Sequence, residues 1–314
     1  MIHPIPSGTR DVLPDEMREL RTISDALLGV FTAEGYGEIA TPSLEHESVL
    51  ARGGAGGTLP AYRVVDDHGA VLALRSDMTV PIARVVATRY PAAEPPLRFC
   101  YFANAFRSVR PHRGQQREFL QAGVERVGAP GAEGTAEALR VLCAALDATG
   151  LQHYRVGLGD ASLYPGMLAA AGVPEEAREG LLHELSTRDF VGLERRLRDL
   201  DLGADERERL LTLPQVRGGE DVLPDVASEL RDVVERLPAS ARDRVIFDLG
   251  LVRDLSYYTG AVFEVYDPAM GQPIGGGGRY DDLLGRFGRP LPAVGFALTV
   301  DRLHIALTGE EREA

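Results

Sequence analysis

The stretch that decides the fold runs from residue 97 to residue 128 and reads LRFCYFANAFRSVRPHRGQQREFLQAGVERVG. Residues 97–107 and 118–128 are strand-like runs, and the segment between them contains Arg110, His112, Arg113 and Arg117. Hairpin loops usually have about two to five residues, so this longer basic segment is typical of a functional loop. The sequence therefore predicts a long antiparallel hairpin with a basic tip.

The remaining sequence favours an α+β fold in one domain. The 314 residues are 44% hydrophobic, which is ordinary for a globular protein. Residues 160–242 are dominated by Leu, Glu and Arg, and we expect them to form a helical insertion. Strand-like runs return at residues 245–249, 262–266 and 295–299. Since few strand–helix–strand crossovers are visible, we expect a mainly antiparallel sheet within a single domain over residues 1–314.

An amphipathic helix is expected near the start of the chain. Pro14 is a residue that helices accept at their first position. Apolar residues then recur at spacings of three and four, as on the buried face of a helix. The recurring residues are Met17, Leu20, Ile23, Leu27 and Phe31.

Arginine supplies all of the fixed positive charge. The chain has 34 basic and 47 acidic residues, a net charge of −13, and it contains no lysine. The absence of lysine excludes Schiff-base and pyridoxal-phosphate chemistry and the Walker A phosphate loop. Phosphate or carboxylate groups must be held by guanidinium groups, which bind them in a bidentate manner. The acidic balance counts against a role in wrapping nucleic acid.

The two cysteines, Cys100 and Cys143, lie far apart in apolar stretches without the spacing of a zinc site. We expect buried free thiols, as in a reducing cytoplasm, and neither a metal nor a cofactor. Residues 1–10 show no signal-peptide pattern, and no stretch approaches the roughly 18 apolar residues of a membrane span. These features predict a soluble cytoplasmic protein without membrane contact.

Polar side chains of the second hairpin strand are the first candidate binding group. Gln121, Gly123 and Glu125 alternate along the strand and share one face. An amide and a carboxylate beside a glycine gap suit an ammonium group. A polar, solvated sheet face is the alternative explanation.

Arginines and glycines supply the other candidate groups. Arg107 ends the first hairpin strand, where a guanidinium suits a phosphate or carboxylate, although a solvated basic loop is the alternative. Residues 253–260 place an arginine and two tyrosines before a strand and can frame a pocket. The glycines of residues 275–281 permit close approach of a ligand, or form a plain flexible loop. Arg302 lies where a strand passes into a helix, and without the other segments it would be interpreted as a surface residue.

In their order along the chain, these segments resemble the catalytic core of histidyl-tRNA synthetases, a class II synthetase family. The resemblance covers residues 8–306 and implies a class II synthetase-like core: a six-stranded antiparallel sheet flanked by helices, and a homodimer formed through motif 1. The matching segments are GTRDVLP (8–14), residues 36–45 as motif 1, LRSDMT (74–79), residues 106–128 as motif 2, residues 251–260, and residues 276–281 with 295–303 as the glycine loop and motif 3.

The resemblance also implies which residues bind ligands. On the ATP side it assigns Arg107, Val109 and Arg302, with Val109 standing where the family has an acidic residue. Asp254 and Ser256 likewise replace the family's Gly and Asp. The implied histidine-binding residues are Asp77, Thr79, Arg107, Gln121, Glu125, Arg253, Tyr257 and Tyr258.

With these departures, and with no anticodon-binding domain expected after motif 3, the chain resembles the family of ATP phosphoribosyltransferase regulatory subunits. That resemblance implies a non-catalytic protein that a short catalytic subunit requires for the first step of histidine biosynthesis. It also implies histidine as a feedback effector, bound either in the synthetase-like pocket or at a subunit interface. The alternative is a truncated synthetase-like enzyme that activates histidine or a related acid with ATP. A nucleic-acid-binding module built on the basic hairpin is a third, weaker hypothesis.

Overall fold

One large mixed sheet and one small antiparallel sheet form the frame of the protein, whose computed structural model describes residues 5–54, 61–108, 116–223, 227–251 and 257–313. The strands are β1 (Gly37–Glu38), β2 (Leu44–His46), β3 (Arg63–Val65), β4 (Val71–Leu74), β5 (Leu97–Phe106), β6 (Glu118–Val127), β7 (Arg155–Asp160), β8 (Arg217–Gly218), β9 (Val245–Asp248), β10 (Ala261–Tyr266), β11 (Gly275–Arg279) and β12 (Ala293–Thr299).

The large sheet has nine strands in the order β1-β5-β6-β12-β11-β10-β7-β9-β8, so the expected six-stranded antiparallel sheet is wrong. The central strands from β5 to β7 are antiparallel, but β1 joins β5 and β9 joins β7 in parallel. An open sheet edge presents unpaired backbone groups that a further strand can satisfy. Strand β9 was expected from residues 245–249, whereas β1 and β8 have only two residues each and show no alternation that sequence inspection can detect. The small sheet has the order β2-β4-β3.

Helices flank the large sheet and make up most of the segment between β7 and β9, which also contains the short strand β8. They are α1 (Pro14–Ala33), α2 (Glu47–Arg52), α3 (Thr79–Arg89), α4 (Gly131–Ala148), α5 (Leu163–Ala170), α6 (Glu175–Ser186), α7 (Phe190–Arg198), α8 (Ala204–Thr212), α9 (Ser228–Glu235), α10 (Ala239–Arg242) and α11 (Val300–Glu313). Among the described helices, none combines the length and the hydropathy needed to cross a membrane.

Helix α1 confirms the apolar spacing expected after Pro14, with one exception. Leu20, Ile23, Leu27 and Phe31 are buried in the main core. Met17 is 42% exposed and lines a groove of about 370 Å³. The Met17 side chain in the first turn of α1 therefore faces this groove instead of the core.

The two faces of the large sheet have different roles. Ala122, Val124, Leu158, Phe263 and Phe296 point to one face and join the main core with α1, α4, α9 and α11. Because side chains alternate along a strand, the neighbours of these residues point to the opposite face. The opposite face is therefore the one on which a binding site can be built.

Helices α5 to α8 have an apolar core of their own. It contains Leu168, Leu181, Leu193 and Leu197 and extends to Leu210 in α8. Helices α9 and α10 pack against α4 and contribute to the main core instead. We refer to α5 to α8 as the insert.

The hairpin of β5 and β6 confirms the strands predicted from residues 97–128. Its tip, including Arg110, His112 and Arg113, lies outside the described residues. Cys100 and Cys143 are free and buried, as expected.

Candidate ligand-binding site

The site residues gather on the face of β6 that points away from the main core. Gln121, Gly123 and Glu125 share that face, and β12 places Thr299, Ala297 and Gly295 opposite them. Helix α3 begins nearby and brings Asp77 and Thr79 toward the same face. We call Asp77, Thr79, Gln121, Glu125 and the tyrosines around them the candidate site.

Glu125 is the most deeply buried carboxylate of the candidate site, with only 1% exposure. The Thr79 hydroxyl donates to Glu125 Oε1 over 2.7 Å, and the Tyr280 hydroxyl donates to Oε2. Burial raises the pKa of Glu125 to about 8, although both hydroxyl groups oppose the shift. A Cβ atom at Gly295 would stand 1.9 Å from Oε2, so only glycine leaves room for this carboxylate.

Asp77 places a second carboxylate close to Glu125. Its Oδ1 accepts the Val80 amide hydrogen over 3.1 Å in the first turn of α3. Burial raises the pKa of Asp77, while its hydrogen bonds and the Arg107 charge act in the opposite direction. The charge of Asp77 also adds to the rise of the Glu125 pKa. Two such carboxylates favour a ligand that brings a positive charge.

Tyrosines form the walls around these carboxylates. The ring of Tyr257 lies 4.9 Å from that of Tyr258 and 5.7 Å from that of Tyr280, measured between centroids. Burial raises the pKa values of Tyr101, Tyr257 and Tyr280 well above the ordinary value. These groups therefore stay protonated and remain hydrogen-bond donors.

The gap expected beside Gly123 is already occupied, which corrects the sequence-based picture. A Cβ atom at position 123 would stand 2.5 Å from the Tyr101 hydroxyl oxygen. Tyr101 faces Gly123 across the β5–β6 pair, so the glycine accommodates the tyrosine.

The other end of the face is cationic. The Arg107 guanidinium lies 5.0 Å from the centroid of the Phe119 ring. Arg302 donates to the carbonyl oxygen of Pro273 over 2.6 Å, and burial followed by the Arg107 charge lowers its pKa. Between the two ends, Gln121 Oε1 is buried and has no hydrogen-bond partner among the described residues. An unsatisfied buried amide oxygen is suited to accept a hydrogen from a ligand.

The structure thus brings together most of the residues that the sequence singled out. Asp77, Thr79, Glu125, Tyr257 and Tyr258 lie in one cluster, with Arg107 and Gln121 beside it. Val109 and Arg253 lie outside the described residues, so the roles expected of them remain predictions. Within the described ranges, no three His, Cys, Asp or Glu side chains are grouped to hold a metal ion.

Sequence inspection missed two important residues, Tyr101 and Tyr280. Tyr280 is 155 positions away from the Glu125 that accepts its hydrogen bond. Its one available signal was its position directly after the glycine-rich strand β11. Tyr101 is paired with Gly123 in the β5–β6 register, so the sequence of the hairpin was enough to place Tyr101 on the same face.

The fold and the site define a synthetase-like core of the histidyl type. The model of the family described as histidyl-tRNA synthetase matches residues 8–303. A crystal structure from Bacillus halodurans C, described as an ATP phosphoribosyltransferase regulatory subunit/histidyl-tRNA synthetase, has a TM-score of 0.89 and 33% identity over 98% of this chain and 84% of its own. A histidine–tRNA ligase subunit from Alicyclobacillus acidocaldarius has a TM-score of 0.83 and 29% identity over 99% of both chains.

Curated relatives narrow the assignment. The protein of Moorella thermoacetica is 41% identical over 96% of this chain and 81% of its own length. That of Symbiobacterium thermophilum is 43% identical over 96% of this chain and 79% of its own length. Both are named ATP phosphoribosyltransferase regulatory subunit. The chain belongs to this family of histidyl-tRNA synthetase-like regulatory subunits.

Proposed function

We propose that this chain is the regulatory subunit of an ATP phosphoribosyltransferase and that a short catalytic subunit requires it for activity. The observation that carries the proposal is the 41–43% identity, over nearly the whole chain, to relatives with that name. In this proposal the chain catalyses no reaction itself. The replacement of an acidic family residue by Val109 supports this, because valine cannot accept hydrogen bonds from a nucleotide.

Histidine is the effector that the candidate site suits best. Its ammonium group would pair with Glu125 and Asp77, and its carboxylate would face the Arg107 end. The Gln121 amide oxygen and the tyrosine hydroxyls can accept or donate hydrogen bonds to the imidazole. For feedback control, histidine must favour one state of the assembly by a differential affinity of about 1–3 kcal/mol.

A homodimer through the motif 1 region is also part of the proposal. The residues that precede and open α1 expose apolar side chains: Val12 is 37%, Leu13 68% and Met17 42% exposed. Val12 and Met17 line a groove together with Phe102 and with Glu38 of motif 1, and Glu38 belongs to the edge strand β1 of the large sheet. Apolar side chains grouped at a sheet edge are suited to contact a second copy of the chain.

A reconstitution assay tests the function. A short catalytic subunit receives ATP and phosphoribosyl pyrophosphate with and without this chain, and histidine is then added. We expect phosphoribosyl transfer to require the chain and to fall as histidine saturates. A chain that leaves several such catalytic subunits unaffected would contradict the proposal.

The same preparation tests the synthetase-like alternative. Arg107 and Arg302 favour it, because both guanidinium groups remain on the side where the family holds ATP. Histidine-dependent exchange between ATP and pyrophosphate, measured without a partner, would show that the chain activates histidine itself. We expect no exchange above that of a sample without protein.

A further inference from the structure

A second cavity lies where the insert meets the large sheet, and we call it the junction cavity. It has a volume of about 540 Å³, within the range of roughly 300–1,000 Å³ that small-molecule sites occupy. Ile246, Tyr266, Pro268 and Pro273 give it apolar walls. Its charged lining is arginine-rich, with Arg155, Arg188 and Arg217 together with His153.

A buried carboxylate orients two of these arginines. Asp248 is 5% exposed, and its Oδ2 accepts from Arg188 over 3.3 Å and from Arg217 over 2.9 Å. Its Oδ1 accepts the Gly250 amide hydrogen. A guanidinium has five N–H donors, so one bond to Asp248 leaves others for a ligand. Both arginine side chains are nearly half exposed.

Arg188 reaches the cavity from an unusual backbone conformation. It lies between α6 and α7 with a φ of +57°, and it is the only non-glycine residue with positive φ in the part of the chain that the structure describes. Glycine adopts this left-handed conformation more easily than any other residue. The Arg188 side chain, which starts from this conformation and bonds to Asp248 of the sheet, therefore lies where the insert meets the large sheet.

Three acidic side chains, those of Asp248, Glu264 and Asp267, also line the cavity, and each has partners of its own. Asp248 is engaged by the two arginines, and Glu264 accepts a hydrogen bond from the Tyr266 hydroxyl. Burial raises the pKa of Asp267, the hydrogen bond from the Ala269 amide opposes this rise, and the neighbouring Glu310 adds to it. The N–H donors of Arg188 and Arg217 that do not bond to Asp248 are therefore what the cavity offers to an oxyanion.

The junction cavity is separate from the candidate site. Gly157, Glu264, Gly276, Ala297 and Gly123 are successive neighbours across the sheet. Strands are about 4.8 Å apart, so Gly157 at the cavity is roughly 19 Å from Gly123 at the candidate site. One small molecule cannot fill both.

We propose that the junction cavity binds a small organic oxyanion, with its phosphate or carboxylate between Arg188 and Arg217 and its apolar body against Ile246 and Tyr266. Guanidinium groups recognise both oxyanions through charge-assisted hydrogen bonds. Because Arg188 belongs to the insert and Arg217 to the sheet, the ligand would join the two parts. This site is independent of the proposed function.

Isothermal titration calorimetry on the full chain tests the proposal, with phenyl phosphate, benzoate and inorganic phosphate as probes. We expect saturable binding at one site per chain for phenyl phosphate or benzoate, and the stronger of the two identifies the oxyanion. Binding of inorganic phosphate as tight as that of both organic probes would overturn the role of the apolar walls. Absence of heat from both organic probes at millimolar concentration would overturn the site.

Substitutions in the lining of the junction cavity test where the probes bind. Arg188→Gln and Arg217→Gln should each weaken it roughly tenfold or more, since each removes a charged donor. Arg195→Gln, on the exposed surface of α7, is the matched control and should bind like the unaltered chain. Ile246→Trp should block the cavity while keeping both arginines, and thermal melting checks that each variant folds. Unchanged affinity in both arginine variants would refute the assignment.

Discussion

The candidate site and the junction cavity lie on the same face of one sheet and are built in opposite ways. The candidate site buries Glu125 and Asp77 near hydroxyl donors, and burial raises the pKa of both carboxyl groups. A bound cation would favour their ionised forms. The junction cavity uses Asp248 to orient two half-exposed arginines. In the roles that we propose, carboxylates recognise the ligand of the candidate site, whereas in the junction cavity a carboxylate positions the arginines that recognise the ligand.

This contrast shows how burial decides the role of a charged side chain. A carboxylate without a cationic partner loses its charge when buried, because desolvation penalises the ionised form. Burial raises the pKa of Asp248 as well, but the charge and the hydrogen bond of Arg188 oppose this rise. We therefore expect the candidate site to respond to pH and to a cation, and the junction cavity to respond to an anion.

The largest expected effect is on the insert. Leu193→Ala removes a fully buried side chain from the core of the insert, and such truncations cost about 2–5 kcal/mol. We expect the insert to loosen and the junction cavity to lose its oxyanion, while histidine binding at the candidate site stays unchanged. Chemical denaturation and calorimetry with both ligands measure this.

Val191→Ala is the matched control for the insert, because Val191 is on the same helix and is 79% exposed. It should change neither stability nor binding by a measurable amount. If Leu193→Ala weakened histidine binding as strongly as oxyanion binding, the two sites would not be independent.

Replacement of the buried carboxylate should have the next largest effect. Glu125→Gln keeps the shape of the side chain but removes the negative charge that an ammonium group needs. We expect histidine affinity to fall about 100-fold, which corresponds to roughly 2.7 kcal/mol. Calorimetric titration measures the loss, and circular dichroism checks the fold.

Glu133→Gln on the exposed start of α4 is the control for this change. It removes the same charge from the chain without touching the candidate site, so histidine affinity should be kept. Equal losses in both variants would mean that the overall charge, and not Glu125, governs binding.

The smallest expected effect is a dependence on pH. With a pKa of about 8, Glu125 is mostly protonated at pH 7, and a bound ammonium group must displace that proton. We expect histidine affinity to rise about fivefold from pH 7 to pH 8, with proton release. Titrations in two buffers of different ionisation enthalpy detect the released proton. Benzoate at the junction cavity should show no such rise.

The same pKa predicts a trend in stability. The folded state keeps the proton on Glu125, whereas the unfolded chain releases it near the ordinary value of 4.5. The contribution of this group to the free energy of unfolding is therefore complete below pH 4.5 and is lost as the pH rises through 8. Glu125→Gln should remove this part of the pH dependence.

Local patterns allowed the strands of the long hairpin and helix α1 to be predicted. Ten residue pairs of β5 and β6 lie in regular register, and four of the five apolar residues expected on α1 are buried. The nine-stranded sheet was not predicted, because two-residue strands such as β1 and β8 carry too little sequence to show alternation. Their pairing depends on a neighbouring edge that forms elsewhere in the chain.

By itself, the sequence determined which chemical groups this protein can use. Without lysine, its anion sites must be built from arginine, and alternation on one strand already placed Gln121 and Glu125 on a common face. Only the tertiary structure decided what those groups become. Thr79 and Tyr280, 46 and 155 positions from Glu125, donate to its two oxygens, and Tyr101 fills the gap at Gly123. Burial and partner geometry depend on contacts between distant segments, and no local pattern contains them.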